Sequence, residues 1–376
     1  MEPQLQPQPR LVSVDLVRVF AMALMVQGHT LDVLLTPQVQ SASWYNFWLF
    51  CRGFTAPIFM TLAGFSFALA TSKKWTDHIQ FGSPVYKRIR RFAFFVLLGY
   101  AMRFPVHSVR DLKWVAPEHW QTFLQVDVLQ TTGFTLIALQ LLVLALRSKK
   151  LFIGVSLALS FSIAFMAPLA WNSGLIQSLP LAMRSALVGT GGSLFPLIPW
   201  SAYLFFGAAA GFSYTMYRQS KTSLLRLAIP VGMVLMLAGV KLEHASHALY
   251  GDASFWPSTP HLFITRIGFV MTVMGLATFI EGFVRPKAST IRSLAEESLL
   301  VYFVHVALLY GSMWNPGVKQ YMGGTMGFSH AYVFVLLMIS SMMTMAYFWN
   351  RAKKGYPTPS YAFRTAIFAV AAIAIA

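Results

Sequence analysis

The chain has 376 residues, 56% of them apolar and only 11% charged, less than half the charged share of a soluble domain. So few charges cannot cover a water-facing surface of this size, which excludes a soluble enzyme. The net charge of +17 comes from 29 Lys and Arg against 12 Asp and Glu, and the basic residues fall in short clusters between long apolar runs, so a membrane protein is expected and a nucleic-acid-binding one is not.

The polar, proline-bearing start MEPQLQPQPR leads into a long apolar run that holds Arg18 and lacks a small-residue cleavage site. It is expected to be a retained span rather than a cleaved signal peptide. A span needs about 20 largely apolar residues. Runs of that kind lie at 14–35, 44–70, 92–108, 122–146, 151–170, 193–216, 224–240, 262–281, 298–314, 329–350 and 361–376. The third and last are the least apolar or the shortest. The expected fold class is therefore all-α: a polytopic integral membrane bundle of about 10–11 transmembrane helices. No repeat, linker or low-complexity stretch divides the chain, so a single domain over 1–376 is expected. The glycine-rich run GTGGSLFPLIPW is expected to be a helix entry with a proline-bent start. His244, His247 and His261 fall in one loop, and with one cysteine in the chain, Cys51, and few acids nearby no metal site is expected.

Orientation follows from the basic clusters. With the N-terminus cytoplasmic, the inside segments hold Arg10 and Arg18; Lys73, Lys74, Lys87, Arg88, Arg90 and Arg91; Arg147, Lys149 and Lys150; Arg218, Lys221 and Arg226; Arg285, Lys287 and Arg292; and Arg351, Lys353, Lys354 and Arg364. Most basic residues are then inside, as the positive-inside rule requires.

Ionisable groups inside spans are costly, which makes each a functional candidate. The first span holds Asp15, Arg18, His29 and Asp32. Arg18 and His29 are eleven residues apart, about three helical turns or 16 Å along one face. Asp15 and Arg18, and His29 and Asp32, are each spaced to pair one turn apart. A carboxylate that orients an imidazole makes a general base, while a lone intramembrane histidine is often only an interhelical hydrogen-bonder. The four groups on one face favour function. In KRIRR, Arg88 and Arg91 share a helix face, and two guanidinium forks suit a phosphorylated ligand; a topology determinant or a lipid-headgroup contact is the plainer reading. Arg52 is expected to pair with Asp127, itself a helix-start acid, and His305 in LLVYFVHVALLY reads equally as a packing histidine.

These residues resemble the transmembrane acyltransferase superfamily. Arg18, ten residues, then His29 is similar to the first-span pattern of the acyltransferase-3 family, and Arg88-Ile-Arg90-Arg91 to its RxxR motif. PIFMTLAGFSFALA resembles its second-span stretch. SVDLVRVFAMALMVQGHTLD, VDVLQTTGFTLIALQLL and FPLIPWSAYLFFGAAAG look more like a sister branch, the bacterial relatives of the heparan-α-glucosaminide N-acetyltransferase catalytic domain. That branch usually has glycine after the arginine, where this chain has Val19. SLLVYFVHVALL resembles late spans across the superfamily, so the likeness runs from about Arg10 to Tyr310.

The resemblance implies a membrane-bound O- or N-acyltransferase in a bacterial cytoplasmic membrane. It would move an acyl group, acetyl above all, from cytosolic acyl-CoA (acetyl-CoA) to an extracytoplasmic envelope glycan or glycolipid. Carried over by position, His29 is catalytic with Asp32, and Arg88, Arg91 and Arg18 meet the coenzyme A end, with Asp15, Arg52, Asp127 and His305 around them. The expected partners are membrane lipids and the acceptor. The competing reading is a proton-coupled transporter or flippase using the His29–Asp32 pair as a relay; a non-catalytic scaffold is the third.

Overall fold

The computed structural model describes residues 11–106, 109–217, 221–251, 259–312 and 315–355. The first apolar run folds as one helix, α1 (Val12–Leu34). The second is broken into α2 (Ser43–Arg52) and α3 (Thr55–Lys73). The break follows from Pro57. It has no N–H for the carbonyl of Gly53 four residues back, and its ring crowds that carbonyl.

The remaining long helices are α4 (Ser83–Ala101), α5 (Val128–Leu146), α6 (Lys149–Trp171), α7 (Leu197–Met216), α8 (Lys221–Lys241), α9 (Pro260–Val284), α10 (Ser298–Tyr310) and α11 (Phe328–Gly355). Among the described residues, seven helical stretches are long and apolar enough to cross a membrane: those holding α1, α2 with α3, α5, α6, α8, α9 and α11. The helices α4, α7 and α10 overlap three further expected spans, 92–108, 193–216 and 298–314. The expected run 361–376 lies outside the described residues, as do Arg10, Arg218 and Arg364. The protein is an all-α polytopic integral membrane helix bundle.

Several boundaries move for local reasons. α4 starts at Ser83 with Pro84 in its first turn, so KRIRR lies inside the helix rather than before the span. α5 starts only at Val128, where Asp127 and Gln130 form a capping box. This satisfies end groups that an unbroken run from 122 would have left inside a helix. The bent entry to α7 is present, with non-helical backbone at Ile198. His244 and His247 sit on a short helix, Glu243–Tyr250, and His261 in the first turn of α9, rather than in one loop.

The two ends of the bundle are distinct. At one, which carries Lys73, Lys87, Lys149 and Lys353, Ser72 meets Thr215 at 2.9 Å and Lys354 meets Glu296 at 3.1 Å. At the other, Thr36 N–H donates to the Met326 carbonyl at 3.0 Å and Trp171 Nε1–H to the Ile198 carbonyl at 2.9 Å. α1 packs between α3, α9, α10 and α11, and one apolar cluster seats Met22, Val26 and Leu34 of α1 against α10 and α11.

α3 and α7 approach through small residues, as membrane helices do. A Cβ on Gly207 would run into the Thr61 carbonyl, and one on Gly64 into that of Leu204. Backbone cannot yield as a flexible side chain does. Gly207→Val is therefore expected to destabilise the protein at the upper end of the overpacking range, about 1–3 kcal/mol. Gly154→Val, whose Cβ meets nothing within 4 Å, should leave the thermal unfolding midpoint in detergent unchanged. Equal midpoints for the two variants would contradict the tight α3–α7 seam.

Candidate active site

The ionisable groups of α1 fall at its two ends. At the basic end, Arg18 Nη1 lies 3.5 Å from Asp15 Oδ1, the expected pair, and Nη2 donates to Ser66 Oγ of α3 at 2.8 Å. Asp15 is buried.

At the other end His29 is half-buried and meets α10. Its Nδ1 lies 3.3 Å from Nε2 of His305, and the ring centroids are 5.1 Å apart. Tyr310 stands edge-on to the His29 ring at 5.7 Å. His305 is fully buried, with its Nδ1 2.6 Å from the Val301 carbonyl. The possible packing histidine of the sequence is thus the ring partner of His29.

Asp32 does not pair with His29. Both its carboxylate oxygens face the two terminal nitrogens of Arg52, with the Tyr45 hydroxyl within reach. The i,i+3 spacing allowed the His29–Asp32 contact, but a guanidinium fork satisfies two carboxylate oxygens where an imidazole satisfies one. Gly28 makes room for this arrangement, because a Cβ there would sit 3.2 Å from Arg52 Nε. Arg52 also lies over the Trp48 ring, 5.5 Å from its centroid.

Arg52 therefore does not pair with Asp127 as expected. Asp127 Oδ2 takes Arg103 Nη2 at 2.9 Å, its other oxygen caps α5, and the Tyr302 hydroxyl reaches it. Two carboxylate–arginine pairs, each with a tyrosine, therefore flank the histidines. Between them lies a cavity of about 100 Å³ lined by Gly28, His29, Arg52, Asp127, Phe195 and Tyr302 among others. Arg52 and Asp127 share the cavity without sharing a salt bridge.

At the basic end Arg88 turns inward. Its Nη1 donates to Thr71 Oγ1 at 2.8 Å and to Gln140 Oε1 at 3.1 Å, and the guanidinium lies over Phe67, 5.2 Å from the ring centroid. Arg91 is exposed. The two share a helix face but not an environment, because Thr71 and Gln140 draw only Arg88 into the bundle. Nor does Arg18 join Arg88. Their partners Ser66 and Thr71 are five residues apart on α3, about 140° around the helix. His78, buried beside Arg88, is held below the ordinary histidine range, first by burial and then by the Arg88 charge.

Some groups escaped the reading of the sequence. Arg266 of α9 is 2% exposed, lies over Trp200 at 5.6 Å and is within reach of the Tyr203 hydroxyl. Trp200 in turn packs on Phe195, a wall of the cavity, with centroids 4.7 Å apart. Its signal was plain: an arginine inside the apolar run 262–281, subject to the same argument as Arg18. Tyr45, Tyr302, Tyr310 and Arg103 carry no such signal, since tyrosines and flanking arginines are common at span ends.

The arrangement offers a ring nitrogen, a guanidinium and a carboxylate around a small cavity, apart from the basic residues at the opposite end of the bundle. Such a set can move a proton and stabilise a developing negative charge. No curated protein matches the chain. The family described as heparan-alpha-glucosaminide N-acetyltransferase, catalytic, matches residues 10–242. That range holds Arg18, His29, Asp32, Arg52, Arg88, Arg91 and Asp127, and ends before His305 and the late span that resembled the wider superfamily. The chain belongs to the heparan-alpha-glucosaminide N-acetyltransferase catalytic family, a membrane family of the acetyltransferase type.

Proposed function

We propose that this protein transfers an acetyl group from cytosolic acetyl-CoA to an amine or hydroxyl of an extracytoplasmic glycan or glycolipid. The observation that carries the reading is His29. It lies in the matched region, lines a cavity together with Arg52 and Asp127, and stands on the same helix as a basic end about 16 Å away. On this reading the protein is a single domain in a bacterial cytoplasmic membrane with its N-terminus inside, and lipids and the acceptor are its partners. Membership of the family supports the acetyl chemistry, and the basic clusters support the orientation.

His29 takes the proton from the acceptor N–H or O–H as that atom bonds to the acetyl carbonyl carbon. The Arg52 guanidinium, in the same cavity, stabilises the oxyanion. The C–S bond then breaks, its electron pair leaves on sulfur, and protonated His29 returns the proton to the thiolate. Asp32 holds Arg52 in place, which replaces its expected role of orienting His29. The proton-relay transporter loses its His29–Asp32 pair and is not carried further.

Arg88 and Arg91 would bind the phosphates of the donor, and Arg18, held by Asp15, would line the same end. A charged hydrogen bond is worth about 1.5–3 kcal/mol, so Arg88→Ala or Arg91→Ala should weaken acetyl-CoA binding by roughly 10–150-fold. Lysine should rescue only in part, because it keeps the charge and loses the fork. If these arginines set only topology, the lysine variants should bind donor as well as the parent does.

The direct test gives purified protein labelled acetyl-CoA together with a glucosamine-terminated oligosaccharide or an otherwise identical sugar with hydroxyls only. Label on either acceptor is the expected result. Bound acetyl-CoA with no transfer to any amine or hydroxyl would contradict the proposal.

A further inference from the structure

The contacts of His305 decide which nitrogen of His29 is free. A carbonyl oxygen only accepts hydrogen bonds, so His305 Nδ1, 2.6 Å from the Val301 carbonyl, must carry a proton. In a neutral imidazole the other nitrogen is then an acceptor. That nitrogen, Nε2, is the one that meets His29 Nδ1 at 3.3 Å. For the pair to bond, His29 must donate from Nδ1. Its Nε2 is left with a lone pair, and His29 lines the cavity.

We infer that His305 is a positioning residue. It fixes His29 in the tautomer protonated at Nδ1, so that Nε2 is the base, and the backbone carbonyl of Val301 sets the direction of the chain. The setting device is thus a helix carbonyl acting through a second histidine, and among the described residues no carboxylate is hydrogen-bonded to either ring. When His29 takes a proton at Nε2, its Nδ1–H still has an acceptor in His305 Nε2, so the imidazolium forms without breaking the contact. The position of His305 is built in. It is fully buried on α10, and Tyr302, one turn earlier on the same helix, packs its ring against it at 5.9 Å and also reaches Asp127.

The inference rests on the proposed role of His29, and its test has a readout that needs no activity. In protein labelled with ¹⁵N-histidine, the signals lost in His29→Ala identify His29. In the parent they should report a protonated Nδ1 and an unprotonated Nε2. In His305→Phe they should move toward the opposite tautomer. The same variant should lower kcat by about 10²-fold and change KM for acetyl-CoA by less than about twofold, because donor binding is not its task. His305→Gln, whose side-chain carbonyl can accept from Nδ1–H, should recover most of the lost kcat, which a merely structural role would not give.

A parent His29 protonated on Nε2 overturns the inference, as does an unchanged tautomer and kcat in His305→Phe. If His305→Phe fails to fold, the parent tautomer and the glutamine variant still decide. An active His29→Ala would instead overturn the proposed function, whatever the tautomer.

Discussion

Replacing His29 with alanine is expected to cut the rate of acetyl transfer by about 10²–10⁴-fold, the range lost with a general acid–base catalyst. The protein should still fold and insert. His29 is half-buried against His305 and Tyr310, and the apolar seams of the bundle run through other residues. Because the proposed interaction develops with proton transfer, kcat should fall with KM for acetyl-CoA little changed. Release of coenzyme A from purified protein, compared with the thermal unfolding midpoint, separates lost chemistry from lost fold. Near-parent turnover in a folded variant would remove His29 from the reaction.

Asp32→Ala is the second large effect, and it reaches the site through Arg52. Removing one partner of a buried ion pair strands the other charge and costs about 3–5 kcal/mol. This pair is about one quarter exposed, 28% on Arg52 and 23% on Asp32, so the loss should lie at or below the lower bound, about 3 kcal/mol. Removing both partners removes the stranded charge as well. The Asp32→Ala, Arg52→Ala double variant should therefore be more stable than Asp32→Ala alone, and the thermodynamic cycle should give a coupling of about 0.5–3 kcal/mol. Additive losses would mean that the pair is a contact without energetic coupling. The cycle also tests the correction to the site. A carboxylate that oriented His29 directly would show its coupling to His29 rather than to Arg52.

The bundle was legible because the membrane imposes one strong rule. Apolar runs of span length must be helices, and the described runs fold mainly as helices, with breaks and shortened ends. The ends were less legible. Only Pro57 acting on Gly53 breaks the second run, and only the cap at Asp127 delays the fourth. Along one helix, spacing was informative: Asp15 pairs with Arg18 as the i,i+3 rule expects. Between helices it was silent. Asp32 could reach His29 along α1, yet Arg52 from α2 outcompetes it, and sequence holds no measure of how α2 leans on Gly28. His305 shows the same limit from the other side, because it meets His29 across 276 positions, a distance that no local pattern spans. Arg266 is different. It was visible as an intramembrane charge and belonged with the first-span candidates from the start.

The central claim is transfer across the bilayer, from a basic donor entrance at one end of α1 to a histidine at the other. Sealed vesicles with the protein in one orientation test it. Labelled acetyl-CoA is supplied on the side of Arg88, and a glucosamine-terminated acceptor on the side of Asp32. The expected result is label on the acceptor with donor and acceptor on opposite sides, abolished in His29→Ala. Transfer only when both substrates are on the Asp32 side, or transfer that ignores His29, would contradict the account.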